Sequence, residues 1–149
     1  MNTVSLKWKK LSKAAELPRY ATAGAACFDM TAALTEPLIM EPGRVYAIAT
    51  GLACEVPVGF ELQIRARSGL ALKFGFTLVN GIGTIDSDYR GEIKAIATIL
   101  AKEVLTIQPG DRICQGIVCP VLRVQHVEER ELTSTERGVG GFGSTGINV

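Results

Sequence analysis

At 149 residues the chain is long enough for one domain with a real core. Hydrophobic residues make up 47% and charged residues 21%, the balance of a globular protein rather than a disordered or fibrous one. A formal net charge of +1 excludes a global field for DNA, RNA or an anionic membrane, so any anionic ligand must be held by a local cluster of donors.

In chain order, the first ten residues hold no apolar run of signal-peptide length, and no stretch of 18 apolar residues follows. Residues 44–50 predict a strand, after the turn signal Glu41-Pro42-Gly43. Val56-Pro57-Val58-Gly59 marks a second turn, and residues 60–67 then alternate apolar and polar without a break, the period of a half-buried strand. Residues 68–75 differ: a serine start, a Leu/Ala/Lys body and a glycine stop predict a helix of about two turns. Residues 92–100 predict a strand nearly buried on both faces, and 112–119 and 121–124 two more, the first of these after the turn Gln108-Pro109-Gly110-Asp111. Many short strands between Pro-Gly turns mean an all-β sandwich, jelly roll or barrel. From about Thr133 the alternation stops, and residues 137–146 carry five glycines, too little apolar surface to order themselves. A β-rich core over 1–134 and a flexible C-terminal arm over 135–149 are therefore expected.

The four cysteines (Cys27, Cys54, Cys114, Cys119) show no CxxC pairing, and His126 is the only histidine, so zinc-ligand spacing is missing. They read as reduced thiols acting as small buried hydrophobes, which makes the cytoplasm the default setting.

Three constellations could carry chemistry. Arg67, Ser68 and Gly69 stand where the strand meets the helix, and a helix start presents free N–H groups and partial positive charge to a phosphate. The competing reading makes Ser68 an N-cap and puts the arginines on a solvated face. Asn80-Gly81 is a hairpin signal whose free backbone groups suit the edge of a pyrimidine. Asp86 follows as a candidate general base, although Asp86-Ser87-Asp88 also suits side-chain bonding within a turn. In the tail, Arg137 and Phe142 among glycines offer a phosphate fork and a ring that stacks on a base. Gln115 adds a neutral donor.

Together these segments resemble the five ordered motifs of the trimeric dUTPase family. The motifs are Ala26-Cys27-Phe28-Asp29-Met30, Arg67-Ser68-Gly69-Leu70-Ala71, residues 83–91, Gly110-Asp111-Arg112-Ile113-Cys114-Gln115 and residues 137–146, spanning about 18–146. The resemblance implies an all-β, jelly-roll-like subunit with one short helix and a glycine-rich C-terminal arm. It further implies a homotrimer with three interfacial sites, the arm of one subunit closing a site built by the other two. The implied reaction is hydrolysis of dUTP to dUMP and pyrophosphate, keeping uracil out of DNA and supplying dUMP. Asp86 would activate water for in-line attack on the α-phosphorus. Arg67, Ser68, Gln115, Arg137 and Mg²⁺ would spread the charge of the leaving pyrophosphate, the ion riding on the triphosphate rather than on protein ligands. Asn80 and the neighbouring backbone would read uracil, Tyr89 would pack on the deoxyribose and exclude a 2′-hydroxyl, and Phe142 would cover the base. Gly69, Gly83, Gly143 and Ser144 complete the implied substrate contacts, with Asp29 in support. Cys27 and Met30 depart from the glycine and leucine usual in the first motif, which predicts altered packing rather than lost chemistry. dCTP deaminase shares the fold and the trimer but needs a glutamate to manage protons at C4 of cytosine. Some viral members of the family also bind regulatory proteins, and that possibility stays open here.

Overall fold

The computed structural model describes residues 3–144 and 146. Among these are twelve strands and one helix: β1 (Lys7–Lys10), β2 (Arg19–Tyr20), β3 (Phe28–Thr31), β4 (Leu38–Met40), β5 (Tyr46–Ala49), β6 (Leu52–Glu55), β7 (Phe60–Ala66), α1 (Ser68–Phe74), β8 (Thr77–Leu78), β9 (Gly83–Ile85), β10 (Lys94–Thr98), β11 (Leu105–Ile107) and β12 (Arg112–Pro120). The fold is all-β and jelly-roll-like. A five-stranded sheet runs β2-β3-β12-β7-β9, a three-stranded one β5-β10-β8, and β1-β6 and β11-β4 pair separately, every ladder antiparallel.

The alternation read in the sequence sets the faces of β7. Leu62 and Ile64 point into the core at 0% and 1% exposure. On the other face Gln63 donates to Glu61 Oε1 at 2.6 Å, and Arg65 donates to Gln63 Oε1 at 3.2 and 2.6 Å. One core cluster joins these residues to Met30, Ile48, Phe76, Ile93 and Ile113, so residues from both larger sheets share one interior. The three Pro/Gly turns form where expected, each closed by a backbone bond: Arg44 to Glu41, Phe60 to Pro57 and Asp111 to Gln108. Gly110 takes φ 83°, a conformation that a side chain would strain. The helix ends at Gly75, a left-handed C-cap at φ 61°, with Gly75 N–H bonded to the Ala71 carbonyl and Phe76 N–H to the Leu70 carbonyl.

Two expectations are corrected. β10 is not buried on both faces: Ala95 and Ala97 are buried, but Lys94 is exposed and Ile96 is 42% exposed. Only one face of its sheet meets the core, and the other floors a cavity. Residues 121–124 form no strand. β12 pairs with β7 as far as Pro120 opposite Phe60, where β7 begins, so the next residues have nothing to pair with. A last backbone bond ties Val121 to Gly59 at 2.9 Å, and every residue from 121 to 139 is exposed.

All four cysteines are free, with Cys54 and Cys114 buried and Cys27 and Cys119 half-buried. Burial pushes the Cys54 thiol up to about 11, and burial with the nearby Asp29 carboxylate pushes Cys114 up to about 12. At neutral pH both are protonated and behave as small apolar groups. No helix among the described residues is long and apolar enough to cross a membrane.

Candidate active site

The candidate residues of the core gather in two places along β7. At its C-terminal end, β12 lies between β3 and β7 and brings Gln115 level with Asp29 on one side and Arg65 on the other. Asp29 is the centre of this cluster. Its Oδ1 pairs with Arg67 Nε at 3.0 Å, and its Oδ2 accepts a hydrogen bond from Arg112 Nη1, also at 3.0 Å. Arg67 Nη1 also donates to the Arg112 carbonyl at 2.9 Å, which leaves its Nη2 unengaged among the described residues. Two guanidiniums share one carboxylate, so a net positive charge remains, aimed by ion pairs that keep it from collapsing onto other partners. Asp29, Arg67, Ser68, Gly69, Arg112 and Gln115 line a cavity of about 420 Å³ here.

The competing readings of this segment divide. Arg65 does lie on the outer face, bonded to Gln63, whereas the Arg67 side chain is only 26% exposed and faces the cavity. Ser68 is no N-cap: Arg67 holds that position in extended conformation, with no side-chain cap bond, and Ser68 is the first helical residue. Gln115 Nε2 donates to the Ala66 carbonyl at 3.3 Å, beside the start of the helix.

Alongside β7, where β9 pairs with it, lies a second cavity of about 420 Å³, lined by Asn80, Gly83, Asp86, Tyr89, Glu92 and Lys94 over an apolar floor that includes Ile64, Ile85 and Ile96. Asn80-Gly81 does not close a hairpin. The strands on either side join different sheets, β8 pairing with β10 and β9 with β7, so the turn bridges two sheets across the cavity. Past β9 the chain turns at Asp86, with Tyr89 N–H bonded to the Asp86 carbonyl at 3.2 Å. Arg90 Nη1 braces this turn, donating to the carbonyls of Ser87 (2.8 Å) and Tyr89 (2.9 Å). The Tyr89 hydroxyl donates to the Glu92 carbonyl at 3.1 Å. The Glu92 carboxylate is itself occupied: it accepts the Gly51 N–H at 3.0 Å and pairs with Lys94 at 3.4 Å. The Asp86 and Asp88 carboxylates accept no hydrogen bond among the described residues, so side-chain bonding within the turn does not explain them. An exposed carboxylate without a partner is free to take a proton from water.

These two clusters do not meet within one chain. Ile85 pairs with Leu62, which puts Asp86 beside Glu61, while Arg67 lies six residues further along the same strand direction. At about 3.3 Å per residue the two are roughly 20 Å apart. The cavities have no lining residue in common. The arm joins neither: Arg137 Nε bonds to the nearby Gly140 carbonyl at 2.8 Å, and Phe142 stands fully exposed at φ 49°. Gly143 and Ser144 lie in the same local turns, and Thr145 of the fifth motif lies outside the described residues, as do 147–149.

Sequence reading gave no role to Arg112, Glu92 or Lys94, which line the two cavities. Arg112 had a signal, standing inside the fourth motif just before a bulge in β12. Glu92 and Lys94 had none, because the Gly51 N–H that holds the Glu92 carboxylate is 41 residues away in sequence.

The dUTPase family model matches residues 13–146. The chain is 49% identical over 143 residues to the deoxyuridine 5'-triphosphate nucleotidohydrolase of Nautilia profundicola, covering 96% of this chain and 99% of that protein. It is 46% identical over 147 residues to the protein of the same name from Bdellovibrio bacteriovorus, covering 98% and 99%. The solved structure of the Staphylococcus bacteriophage 80alpha dUTPase with dUPNHPP is similar with a TM-score of 0.84 at 26% identity, over 97% of this chain and 100% of that one.

Proposed function

The chain belongs to the dUTPase family, and from that premise we propose that it hydrolyses dUTP to dUMP and pyrophosphate at sites shared between copies of itself. Asp86 carries the reading. Of the two carboxylates lining the second cavity, Glu92 is held by Gly51 and Lys94, while Asp86 has no partner among the described residues. Asp86 takes a proton from water, the water oxygen bonds to the α-phosphorus in line, and the bond to the bridging oxygen of the leaving pyrophosphate breaks. Arg67, Ser68 and Gln115 meet the departing charge, with Asp29 holding Arg67 in place.

Because Asp86 and Arg67 lie roughly 20 Å apart along one strand, and neighbouring phosphates are far closer, one chain does not supply both to one substrate. A closed homotrimer does, with Asp86 from one copy and Arg67 from the next. Val121, Leu122, Val124, Val127 and Leu132 are exposed on the segment leaving β12, apolar surface that favours cover from a neighbour. The arm, residues 135–149, then brings Arg137, Phe142, Gly143 and Ser144 over a site built by two other copies. Asn80 and the backbone around Gly83 read the uracil edge, and Tyr89 walls off the ribose hydroxyl.

No three of His, Cys, Asp and Glu converge among the described residues. That donor set fits an Mg²⁺ carried by triphosphate oxygens and water, where it would neutralise charge on the pyrophosphate. Four free thiols suit a reducing cytoplasmic setting. The occupied Glu92 also argues against the deaminase alternative, which needs a glutamate free to move protons.

The test is product release from dUTP, dCTP, dTTP and UTP with Mg²⁺. Pyrophosphate from dUTP alone is expected; ammonia from dCTP, or silence on all four, would overturn the assignment.

A further inference from the structure

Tyr89 is seated by a missing side chain two residues further on. A Cβ built at Gly91 overlaps the Tyr89 hydroxyl and stands 2.5 Å from Cζ and 3.0 Å from Cε2, where carbon atoms in contact keep about 3.5–4.0 Å apart. Gly91 is not at positive φ, so its backbone accepts any L-residue and the ring is what excludes one. The surrounding backbone has little room to yield. Arg90 ties the Ser87 and Tyr89 carbonyls on one side. On the other, the Glu92 carboxylate holds Gly51, and Ile93 N–H bonds to the Leu52 carbonyl at 2.8 Å. The Glu92 carbonyl that accepts the Tyr89 hydroxyl is therefore fixed to β6, and a side chain at 91 would move the ring rather than the chain.

We infer that Gly91 is a positioning residue for sugar discrimination: its bare Cα is the seat that holds the Tyr89 ring against the nucleotide's 2′ carbon. This rests on the dUTP reading of the cavity and adds the residue that sets its sugar wall. The overlap falls on the outer end of the ring of a residue that is 43% exposed, so displacing it leaves the core untouched.

The experiment measures kcat/KM for dUTP and UTP in the wild type, Gly91→Ala, Tyr89→Ala and the double variant. Gly91→Ala is expected to lower the dUTP/UTP ratio on the order of tenfold, the scale of one lost packing contact in a specificity pocket. In the Tyr89→Ala background the same substitution is expected to change nothing, because the coupling runs through the ring. An unchanged ratio in Gly91→Ala, or an equal fall in both backgrounds, would overturn the inference while leaving dUTP hydrolysis standing. A wild type that hydrolyses neither nucleotide would overturn the reading of the site itself, and this inference with it. Should Gly91→Ala fail to fold, the Gly91→Ala/Tyr89→Ala double variant decides: folding restored once the ring is removed supports the seat, and a double variant that also fails to fold refutes it.

Discussion

At one end of β7 the Asp29 carboxylate is held between two guanidiniums, each 3.0 Å away; beyond the other, Asp86 has no partner among the described residues. The two cavities have the same volume, yet they hold charge in opposite ways. A cluster with its ion pairs already formed points its remaining donors at an anion without reorganising, which is what recognising phosphates requires. A carboxylate left unpaired can change protonation during a reaction, which is what a base requires. Under the proposed reading, binding and chemistry fall to different clusters along β7, and the distance between them is the reason for proposing a site shared between copies.

The sharpest way to break this contrast is Asp86→Asn. It keeps the shape and removes the proton acceptor, so kcat for dUTP should fall by about 10²–10⁴ while nucleotide binding persists. Turnover near the wild-type rate would take the role of base from Asp86.

Asp29→Asn should act on the other half, and less severely. Both guanidiniums lose their counter-charge, so KM should rise on the order of tenfold and the fold should lose about 1–3 kcal/mol, read as KM and the urea midpoint. An unchanged KM would mean that Arg67 needs no holding.

The smallest effect is expected from the thiols, one of them under Asp29. Burial raises Cys54 and Cys114 from 9.0 to about 11 and about 12, so the folded protein keeps protons that the unfolded chain gives up. Their contribution to stability is fully present below pH 9 and lost as pH rises toward those folded values. Cys54→Ala should flatten the part of the alkaline decline that begins at pH 9, followed by denaturant midpoints across that range. An unaltered slope would assign the decline to other groups.

What the sequence made legible was local. The alternation of residues 60–67 and the three Pro/Gly turns each depend on a few adjacent residues, and all formed where expected. The helix was visible from its glycine stop, although the serine start proved to be its first helical residue rather than its cap. What depended on distant pairing was not legible. Residues 121–124 look like a strand, but whether they pair is decided by where β7 begins. Asn80-Gly81 looks like a hairpin turn, yet its flanking strands belong to different sheets. Arg112 entered the site through a carboxylate 83 residues away. The motifs name the candidate residues only as groups; the fold sets Arg67, Ser68 and Gln115 around one cavity and Asn80, Gly83, Asp86 and Tyr89 around another.

Complementation tests that division most directly. Asp86→Asn and Arg67→Ala chains, each inactive alone, are mixed in equal amounts, unfolded and refolded together, and assayed on dUTP. If each site takes Asp86 from one copy and Arg67 from another, random assembly leaves about one quarter of the sites intact, and the mixture should show about that share of wild-type activity. A mixture no more active than its two components would mean that both residues act within one chain, contradicting the shared site.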